Sequence, residues 1–282
     1  MAIERHRDLL SRLLPAAGPE GFDVHEGQFH LVVVGSDRVV CLPRTEAAAV
    51  RLPRRAAVLR TLAGFDLGFG VPDPLEEGSV GEQPFLVMSR VPGTPLPPGV
   101  LDDPQVLDVV AGQYVGLLSG LAEAGADESV RGVLPAPEGR WLRFAADVRA
   151  ELFGLMSGTG RRRAEQELAA VESLPDLDAA VVHGDLGPEN VLWESVDGLP
   201  RLIGVVDWDE VGLGDHAEDL AAIGAGYGNS LLRRILTLGG WADHETTARI
   251  AAISATFALQ QALAAYRDGD EEELADGLTA YR

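Results

Sequence analysis

The sequence predicts an α+β fold with two lobes, a smaller strand-rich lobe over residues 1–90 and a larger, mainly helical lobe over residues 91–282. The first lobe is identified by apolar runs of strand length at residues 30–34, 38–42 and 85–88, the first two joined by a short polar turn. Beyond residue 90, apolar residues recur at helical spacing in several long segments.

One helix is predicted between the strands of the first lobe. Thr45 can cap a helix that begins at Glu46, and Pro53 predicts a break in that helix followed by a restart. Residues 1–15 carry a stripe of leucines that is typical of a short amphipathic helix.

The second lobe is predicted to hold most of the helices of the chain. They cover residues 103–123, 140–155, 163–174, 215–224, 230–238, 244–267 and 270–280. Residues 157–160 are predicted to form a flexible loop between two of these helices, because small and polar residues dominate there.

The most informative stretch covers residues 181–209 and reads VVHGDLGPENVLWESVDGLPRLIGVVDWD. It contains two apolar runs, each of which stops at charged residues. The first run is followed by Asp185 and, five residues later, Asn190; the second run is followed by Asp207. An apolar run that ends in an acid places a carboxylate at the rim of a rigid core.

These three residue types suit phosphoryl transfer from a nucleotide. One carboxylate must orient the attacking hydroxyl and accept its proton. A second carboxylate and an amide oxygen can hold Mg²⁺ against the phosphates, because Mg²⁺ prefers hard oxygen ligands. Asp185, Asn190 and Asp207 provide this set in the order used by kinase catalytic and metal-binding motifs.

The stretch resembles the aminoglycoside phosphotransferase family. HGDLGPENVLW is similar to the family signature H-G-D-x-x-x-x-N, VVDWDE to its metal segment, and GDHAEDL to its G-D-P-x-x-D-L-A. The resemblance implies a two-lobed, protein-kinase-like fold, ATP or GTP with Mg²⁺ as cofactors, Asp185 as the catalytic residue, and Asn190 and Asp207 as metal ligands. It also implies that Asp215 and Asp219 brace the catalytic loop.

The resemblance extends to the nucleotide contacts. The hairpin at residues 30–42, preceded by Gly27, resembles the loop that covers the nucleotide in this family. The segment FLVMSRVPGTPL resembles the family hinge, which implies that the backbone at Ser89 and Val91 meets the base.

The chain differs from the family at the residues that bind the nucleotide phosphates. Cys41 stands where kinase-like enzymes place a strand lysine, and Arg55 stands where they place its helix glutamate. All 23 basic residues are arginine. Either Arg55 or Arg44 grips the phosphates with its bidentate fork, or nucleotide binding is weakened and the chain is a small-molecule-binding protein.

The net charge of the chain limits the kinds of partner that are expected. The formal net charge is −21, and residues 91–282 account for −19 of it with 13 arginines and 32 acids. This argues against nucleic acid or an anionic membrane as a partner and favours a cationic acceptor, for which Asp209 and Glu210 are candidate contacts.

The expected location is cytoplasmic, because the chain has a single cysteine and its start lacks an apolar signal region. The oligomeric state is open.

The function predicted from these observations is transfer of the γ-phosphate of ATP or GTP to a hydroxyl of a small molecule. The resemblance points to an aminoglycoside or another antibiotic-like acceptor. Two alternatives stay open: a metabolic kinase for a sugar or amino alcohol, and a catalytically weak small-molecule-binding protein on the same scaffold.

Overall fold

The computed structural model describes residues 2–15, 23–26, 30–81, 83–97 and 99–282. The α-helices of this part of the chain, in order, are α1 (Ala2–Leu13), α2 (Glu46–Ala63), α3 (Pro104–Gly125), α4 (Glu128–Arg131), α5 (Arg140–Glu151), α6 (Gly158–Glu172), α7 (Ala217–Tyr227), α8 (Asn229–Gly239), α9 (His244–Ala255), α10 (Phe257–Asp268) and α11 (Glu271–Gly277). The strands are β1 (Asp23–Glu26), β2 (His30–Val34), β3 (Arg38–Pro43), β4 (Pro74–Val80), β5 (Gln83–Ser89), β6 (Ala180–Val182), β7 (Val191–Val196), β8 (Leu199–Val205) and β9 (Gly212–Gly214). The predicted α+β class is confirmed.

The chain divides into two compact units. The first consists of Met1–Leu134 and Glu189–Glu210, and the second of Pro135–Pro188 and Val211–Arg282. The stretch that carries the predicted site residues is therefore divided between the two units. Asp185 belongs to the second unit, and Asn190, Asp207 and Asp209 belong to the first. The functional boundary at residue 90 stays a prediction.

The first unit contains an antiparallel sheet in the order β1-β2-β3-β5-β4. Cys41 lies in the middle of β3, opposite Val32 on one side and Leu86 on the other, and is fully buried. The leucines of α1 join the apolar residues of β2, β3 and β5 in one buried cluster. This burial holds the leucine-rich helix on the sheet.

Helix α2 packs against the same sheet and carries Arg55. Thr45 caps it as predicted, accepting a hydrogen bond from the amide of Ala48 at 3.1 Å. The predicted break at Pro53 is wrong, because the helix is continuous through that residue. Proline removes only one helical hydrogen bond, and the buried face that includes Leu52 and Leu59 compensates for that loss.

Strands β7 and β8 form a hairpin in the first unit. Its two-residue turn consists of Asp197 and Gly198, both at positive φ (53° and 82°), which is the twist that a tight hairpin prefers. The side chain of Gln113 on α3 binds the edge of the hairpin, accepting from Leu202 N at 2.6 Å and donating to Pro200 O at 2.8 Å. The hairpin is thus fixed to the core helix of its unit.

Helix α3 is long and apolar enough, by length and composition alone, to cross a membrane. Its apolar face, however, includes Val110, Tyr114, Leu117 and Leu121, all of which are buried within the protein. This pattern is typical of a core helix.

The second unit consists of the pair β6–β9 and seven helices among its described residues, α5 to α11. Its core unites α5, α6 and α10 with Tyr281. The predicted helix over 244–267 is two helices, because the chain breaks at Thr256, whose hydroxyl donates to Ile253 O at 2.8 Å. The predicted loop at 157–160 is instead the start of α6, with Ser157 accepting from Gly160 N at 3.0 Å.

Candidate functional site

The open end of the β7–β8 hairpin carries both predicted metal ligands. Asn190 directly precedes β7, and Asp207 follows β8 by two residues. Val191 pairs with Val205, and the amide of Val206 donates to the carbonyl of Asn190 at 2.9 Å. Strand pairing therefore brings the two residues to the same end of the hairpin.

Asp207 has an uncommon backbone conformation. Its φ is 61°, in the left-handed region that residues with a side chain rarely adopt, and its side chain is 54% exposed. The next residue, Trp208, is buried; its indole donates to Val205 O at 2.9 Å and stacks on Phe69 with ring centroids 6.4 Å apart. The anchored tryptophan holds this strained turn, and strain of this kind concentrates at functional sites.

The donor set at the hairpin end fits Mg²⁺. Asp207 offers an exposed carboxylate, and Asn190 offers an amide oxygen from a residue that is 6% exposed. Mg²⁺ is commonly bound by one or two protein oxygens while waters and substrate phosphates complete its octahedron.

Arg55 points inward from α2, as predicted, with 12% of its side chain exposed. Its Nη1 lies 2.8 Å from Asp209 Oδ1 and 3.1 Å from Asp209 Oδ2, and its Nη2 lies 3.9 Å from Asp207 Oδ1. Nη1 also lies 3.6 Å from the sulfur of Cys41 and 3.4 Å from Nδ1 of His30. A cation is thus enclosed by two carboxylates, a thiol and an imidazole within the first unit.

His30 is a member of this cluster that the sequence prediction missed. It is the first residue of β2, 9% exposed, and its Nδ1 lies 3.4 Å from Asp209 Oδ2. The only signal in the sequence is a polar residue at the start of the apolar run HLVVV. A polar residue there also suits an ordinary strand start, so the signal carried no information about a partner.

Burial and pairing set the charge states in this cluster. Burial opposes ionisation of Asp209, but the hydrogen bond with His30 and the charge of Arg55 outweigh it, so that its pKa lies below the usual value. Burial raises the pKa of the Cys41 thiol to about 12, and the charge of Arg55 offsets only part of this rise. The cluster therefore contains a carboxylate beside a neutral thiol at neutral pH.

In the second unit, Asp185 lies on a turn that follows β6. His183 is fully buried, and its Nδ1 accepts a hydrogen bond from the amide of Asp185 at 3.2 Å. Gly184 has a φ of 87°, a conformation that glycine adopts readily. Asp219, from α7, accepts from the amides of His183 at 2.9 Å and Gly184 at 3.0 Å. The side chain of Asp185 is thereby presented at the exposed end of a fixed turn.

Asp219 is itself buried, with 1% of its surface exposed. Burial raises its pKa to about 7, although the two backbone donors act in the opposite direction. The expectation that Asp219 braces the turn is confirmed by these two hydrogen bonds.

Two further buried acids of the motif GDHAEDL are paired with arginines that the sequence prediction did not name. Asp215 accepts from Nε of Arg249 at 2.5 Å and from the amide of Ala217 at 3.0 Å. Glu218 pairs with Arg140, yet burial, the larger effect, raises its pKa above the usual value. These pairs tie the start of α7 to α5 and α9 within the second unit.

The remaining predicted contacts lie in the first unit, apart from Gly27, which is outside the described residues. Ser89 ends β5, its amide donating to Asp73 O and its hydroxyl accepting from Asp73 N, both at 2.8 Å. In the described chain, no hydrogen bond involves the backbone of Val91. The side chains of Arg44 and Glu210 are exposed.

Known proteins resemble this chain along most of its length. A protein-family model described as "Phosphotransferase enzyme family" matches residues 23–271. The chain is 66% identical over 284 aligned residues to viomycin phosphotransferase of Streptomyces vinaceus, covering 99% of each protein.

Solved structures show the same fold at low identity. The complex of APH(2")-IIia with GDP and kanamycin has a TM-score of 0.83 at 18% identity, covering 98% of this chain and 96% of that one. The ADP-bound aminoglycoside phosphotransferase APH(2'')-Ib has a TM-score of 0.74 at 16% identity, covering 99% of this chain and 96% of that one.

Proposed function

We propose, from the premise that the chain belongs to the phosphotransferase enzyme family, that it transfers the γ-phosphate of ATP or GTP to a hydroxyl of viomycin or a closely related antibiotic. The observation that carries this proposal is 66% identity to viomycin phosphotransferase along nearly the whole of both chains. It favours an enzyme over a small-molecule-binding protein, and an antibiotic over a metabolic sugar or amino alcohol. Aminoglycosides rank below viomycin as acceptors, because the likeness to enzymes that bind them is confined to the fold.

Asp185 is proposed to orient the acceptor hydroxyl and to receive its proton. Phosphoryl transfer passes through a loose transition state, so the main demand on this carboxylate is position. The turn supports that role, because His183 holds the amide of Asp185 and Asp219 holds the two preceding amides.

Asn190 and Asp207 are proposed to hold Mg²⁺. When bound, the ion neutralises part of the charge on the transferring phosphoryl group. The hydrogen bond between Val206 and Asn190 supports this assignment, since it keeps the amide side chain and the carboxylate at one end of the hairpin.

Arg55 is proposed to grip the phosphates, with Arg44 as the alternative. The inward position of Arg55 beside Asp207 supports it, whereas Arg44 is exposed at the end of β3. The backbone at Ser89 and Val91 is proposed to meet the base, and Gly27 to lie in the loop that covers the nucleotide. The backbone of Val91 makes no hydrogen bond to any residue that the structure describes, which suits a base edge that carries donors and acceptors.

Glu210 remains the proposed contact for an amine of the acceptor, because its carboxylate is exposed at the end of the metal segment. Asp209, predicted for the same role, has both carboxylate oxygens within 3.1 Å of Nη1 of Arg55. A cytoplasmic location and the absence of nucleic acid and membrane partners stay predictions.

The test is turnover by the purified protein with ATP or GTP and Mg²⁺ across a panel of viomycin, kanamycin and gentamicin. Phosphorylated viomycin, detected by mass spectrometry, is the expected product. Asp185→Asn serves as the matched inactive control, because it preserves shape while removing the carboxylate. Turnover of kanamycin or gentamicin without turnover of viomycin would replace the proposed acceptor. Failure with every acceptor, together with no thermal shift by nucleotide and Mg²⁺, would overturn the enzymatic proposal.

A further inference from the structure

The guanidinium of Arg55 occupies the region that a strand lysine at position 41 would enter. In kinase-like enzymes that lysine pairs with a helix glutamate and contacts the nucleotide phosphates. Here the strand offers the short, fully buried Cys41, and Nη1 of Arg55 lies 3.6 Å from its sulfur. The positive charge beside β3 therefore comes from Arg55 on helix α2. In kinase-like enzymes the corresponding helix supplies the negative charge, as a glutamate.

The anion paired with this cation comes from the metal segment. Asp209 lies two residues after the proposed metal ligand Asp207, and both of its oxygens are within 3.1 Å of Nη1 of Arg55. Its side chain is only 28% exposed. A carboxylate whose two oxygens are already engaged by a largely buried arginine is poorly placed to attract an acceptor amine.

His30 completes the support of this pair. Its Nδ1 is 3.4 Å from both Asp209 Oδ2 and Nη1 of Arg55. Among the described residues the buried Nε2 of His30 has no hydrogen-bond partner, so a proton is better satisfied on Nδ1, which then donates to Asp209. In this tautomer Nδ1 makes no hydrogen bond with Nη1, and His30 orients Asp209 alone.

The second terminal nitrogen of the guanidinium, Nη2, lies near the proposed metal ligand Asp207. Arginine has five donor hydrogens in a rigid fork, and the cluster engages those of Nη1. Nη2 lies 3.9 Å from Asp207, and within the described chain the buried Nε has no hydrogen-bond partner. Fixing Nη1 leaves Nη2 oriented beside the residue that would hold the metal, at reduced entropic cost for binding a phosphate.

We propose that Asp209 and His30 are positioning residues, which hold Arg55 on the nucleotide phosphates. An arginine from helix α2 and an aspartate from the metal segment thus replace the usual pair of strand lysine and helix glutamate. The inference rests on the proposed function, because it assumes that nucleotide binds beside Asp207. The proposal gives Asp209 a role in nucleotide binding, whereas the sequence predicts it as a contact of the acceptor.

The experiment measures the Kd of a non-hydrolysable ATP or GTP analogue with Mg²⁺, and the KM of nucleotide and acceptor separately. The variants are Asp209→Ala, the isosteric Asp209→Asn, Arg55→Ala and the double variant Asp209→Ala/Arg55→Ala. The matched control is Arg54→Ala, an exposed arginine on the same helix. Thermal melting of each variant reports whether it is folded.

The expected result is a roughly 10-fold or larger rise in nucleotide Kd for Asp209→Ala, the scale of one charge-assisted hydrogen bond, with the acceptor KM unchanged. The double variant should bind nucleotide no more weakly than Arg55→Ala alone, because Asp209 acts through Arg55. His30→Asn, which keeps a donor near the Nδ1 position, should retain affinity that His30→Ala loses.

An unchanged nucleotide Kd with a raised acceptor KM in both Asp209 variants would overturn the proposal and return Asp209 to the acceptor. Additive losses in the double variant would also overturn it. Failure of the wild-type protein to bind nucleotide or to phosphorylate any acceptor is a separate result, since it overturns the proposed function before any variant is compared.

Discussion

The carboxylate of Asp219 accepts a hydrogen bond from the backbone amide of His183 at 2.9 Å, across 36 residues of sequence. Its second oxygen accepts from Gly184 at 3.0 Å, so one buried side chain satisfies two consecutive amides of the turn that presents Asp185. The backbone of the turn that carries Asp185 thus depends on a residue from α7.

Asp219→Ala is expected to destabilise the protein and to reduce turnover. Each buried donor left without an acceptor costs about 1–3 kcal/mol, and the turn that carries Asp185 would lose its fixed geometry. Chemical denaturation and turnover under saturating substrates measure the two effects. Asp276→Ala, at an exposed position on α11, is the control. Unchanged stability in Asp219→Ala would show that water replaces both hydrogen bonds.

Asp219 is also expected to make stability depend on pH. Its pKa is about 7 in the folded protein against an ordinary value of 3.8, so the folded state retains a proton that the unfolded state has already released. The resulting stabilisation is complete below the ordinary pKa and is lost as the pH rises through the folded value. Relative to Asp219→Asn, the wild-type protein should therefore lose melting temperature as the pH rises from about 4 to about 7. A constant difference over that range contradicts the assignment.

Asp185→Ala and Asp207→Ala are both expected to reduce turnover, but only Asp185→Ala is expected to preserve nucleotide binding. Removing Asp185 should lower turnover by roughly 100- to 10,000-fold while leaving nucleotide affinity nearly intact, because the role proposed for this residue is on the acceptor hydroxyl. Removing Asp207 should abolish turnover and weaken binding of the nucleotide with Mg²⁺, because the charged ligand proposed for the metal is lost. Steady-state kinetics and calorimetric titration distinguish the two. Wild-type turnover in Asp185→Ala would refute its catalytic role.

Arg55→Ala and Arg44→Ala test which arginine grips the phosphates. Arg55→Ala is expected to weaken nucleotide binding by about 1.5–3 kcal/mol, the range for a hydrogen bond to a charged group. Arg44, exposed at the end of β3, should have a smaller effect. The reverse ranking in nucleotide titrations would assign the grip to Arg44.

Acceptor binding is expected to weaken as salt rises. Residues 91–282 carry a net charge of −19, and exposed acids such as Glu210 and the segment 268–273 would attract a cationic acceptor over long distances. The measurement is the acceptor KM between about 0.05 and 0.5 M salt, with the nucleotide KM as the internal control. An acceptor KM that is independent of salt would indicate that the acidity serves solubility alone.

Local chemistry explains most of what the sequence could predict. The Asp197-Gly198 turn and the apolar runs beside it define the hairpin that brings Asn190 and Asp207 together, and Thr45 marks the start of α2. Helix continuity at Pro53 is decided by packing, which outweighs local preference. The break at Thr256 coincides with a hydrogen bond from its hydroxyl to Ile253 O, which the helical pattern of the sequence did not indicate.

The cluster around Arg55 was only partly predictable. Its inward orientation follows from helical spacing with Leu59 and Leu62, both buried. Its partners His30 and Asp209 lie 25 and 154 residues away in sequence, and no periodicity within one element relates residues so distant. Such pairings depend on how the strands and the metal segment are placed in the folded unit.

The replacement of a strand lysine by Arg55 changes how the protein can be probed covalently. Reagents that mark nucleotide sites by acylating a lysine amine have no side-chain target in this chain, because all 23 of its basic residues are arginine. Arginine also stays protonated in alkaline solution, where a lysine amine becomes nucleophilic. An α-dicarbonyl reagent, which condenses with guanidinium groups, is the matching chemistry, and protection of Arg55 by bound nucleotide would map the phosphate site without any substitution.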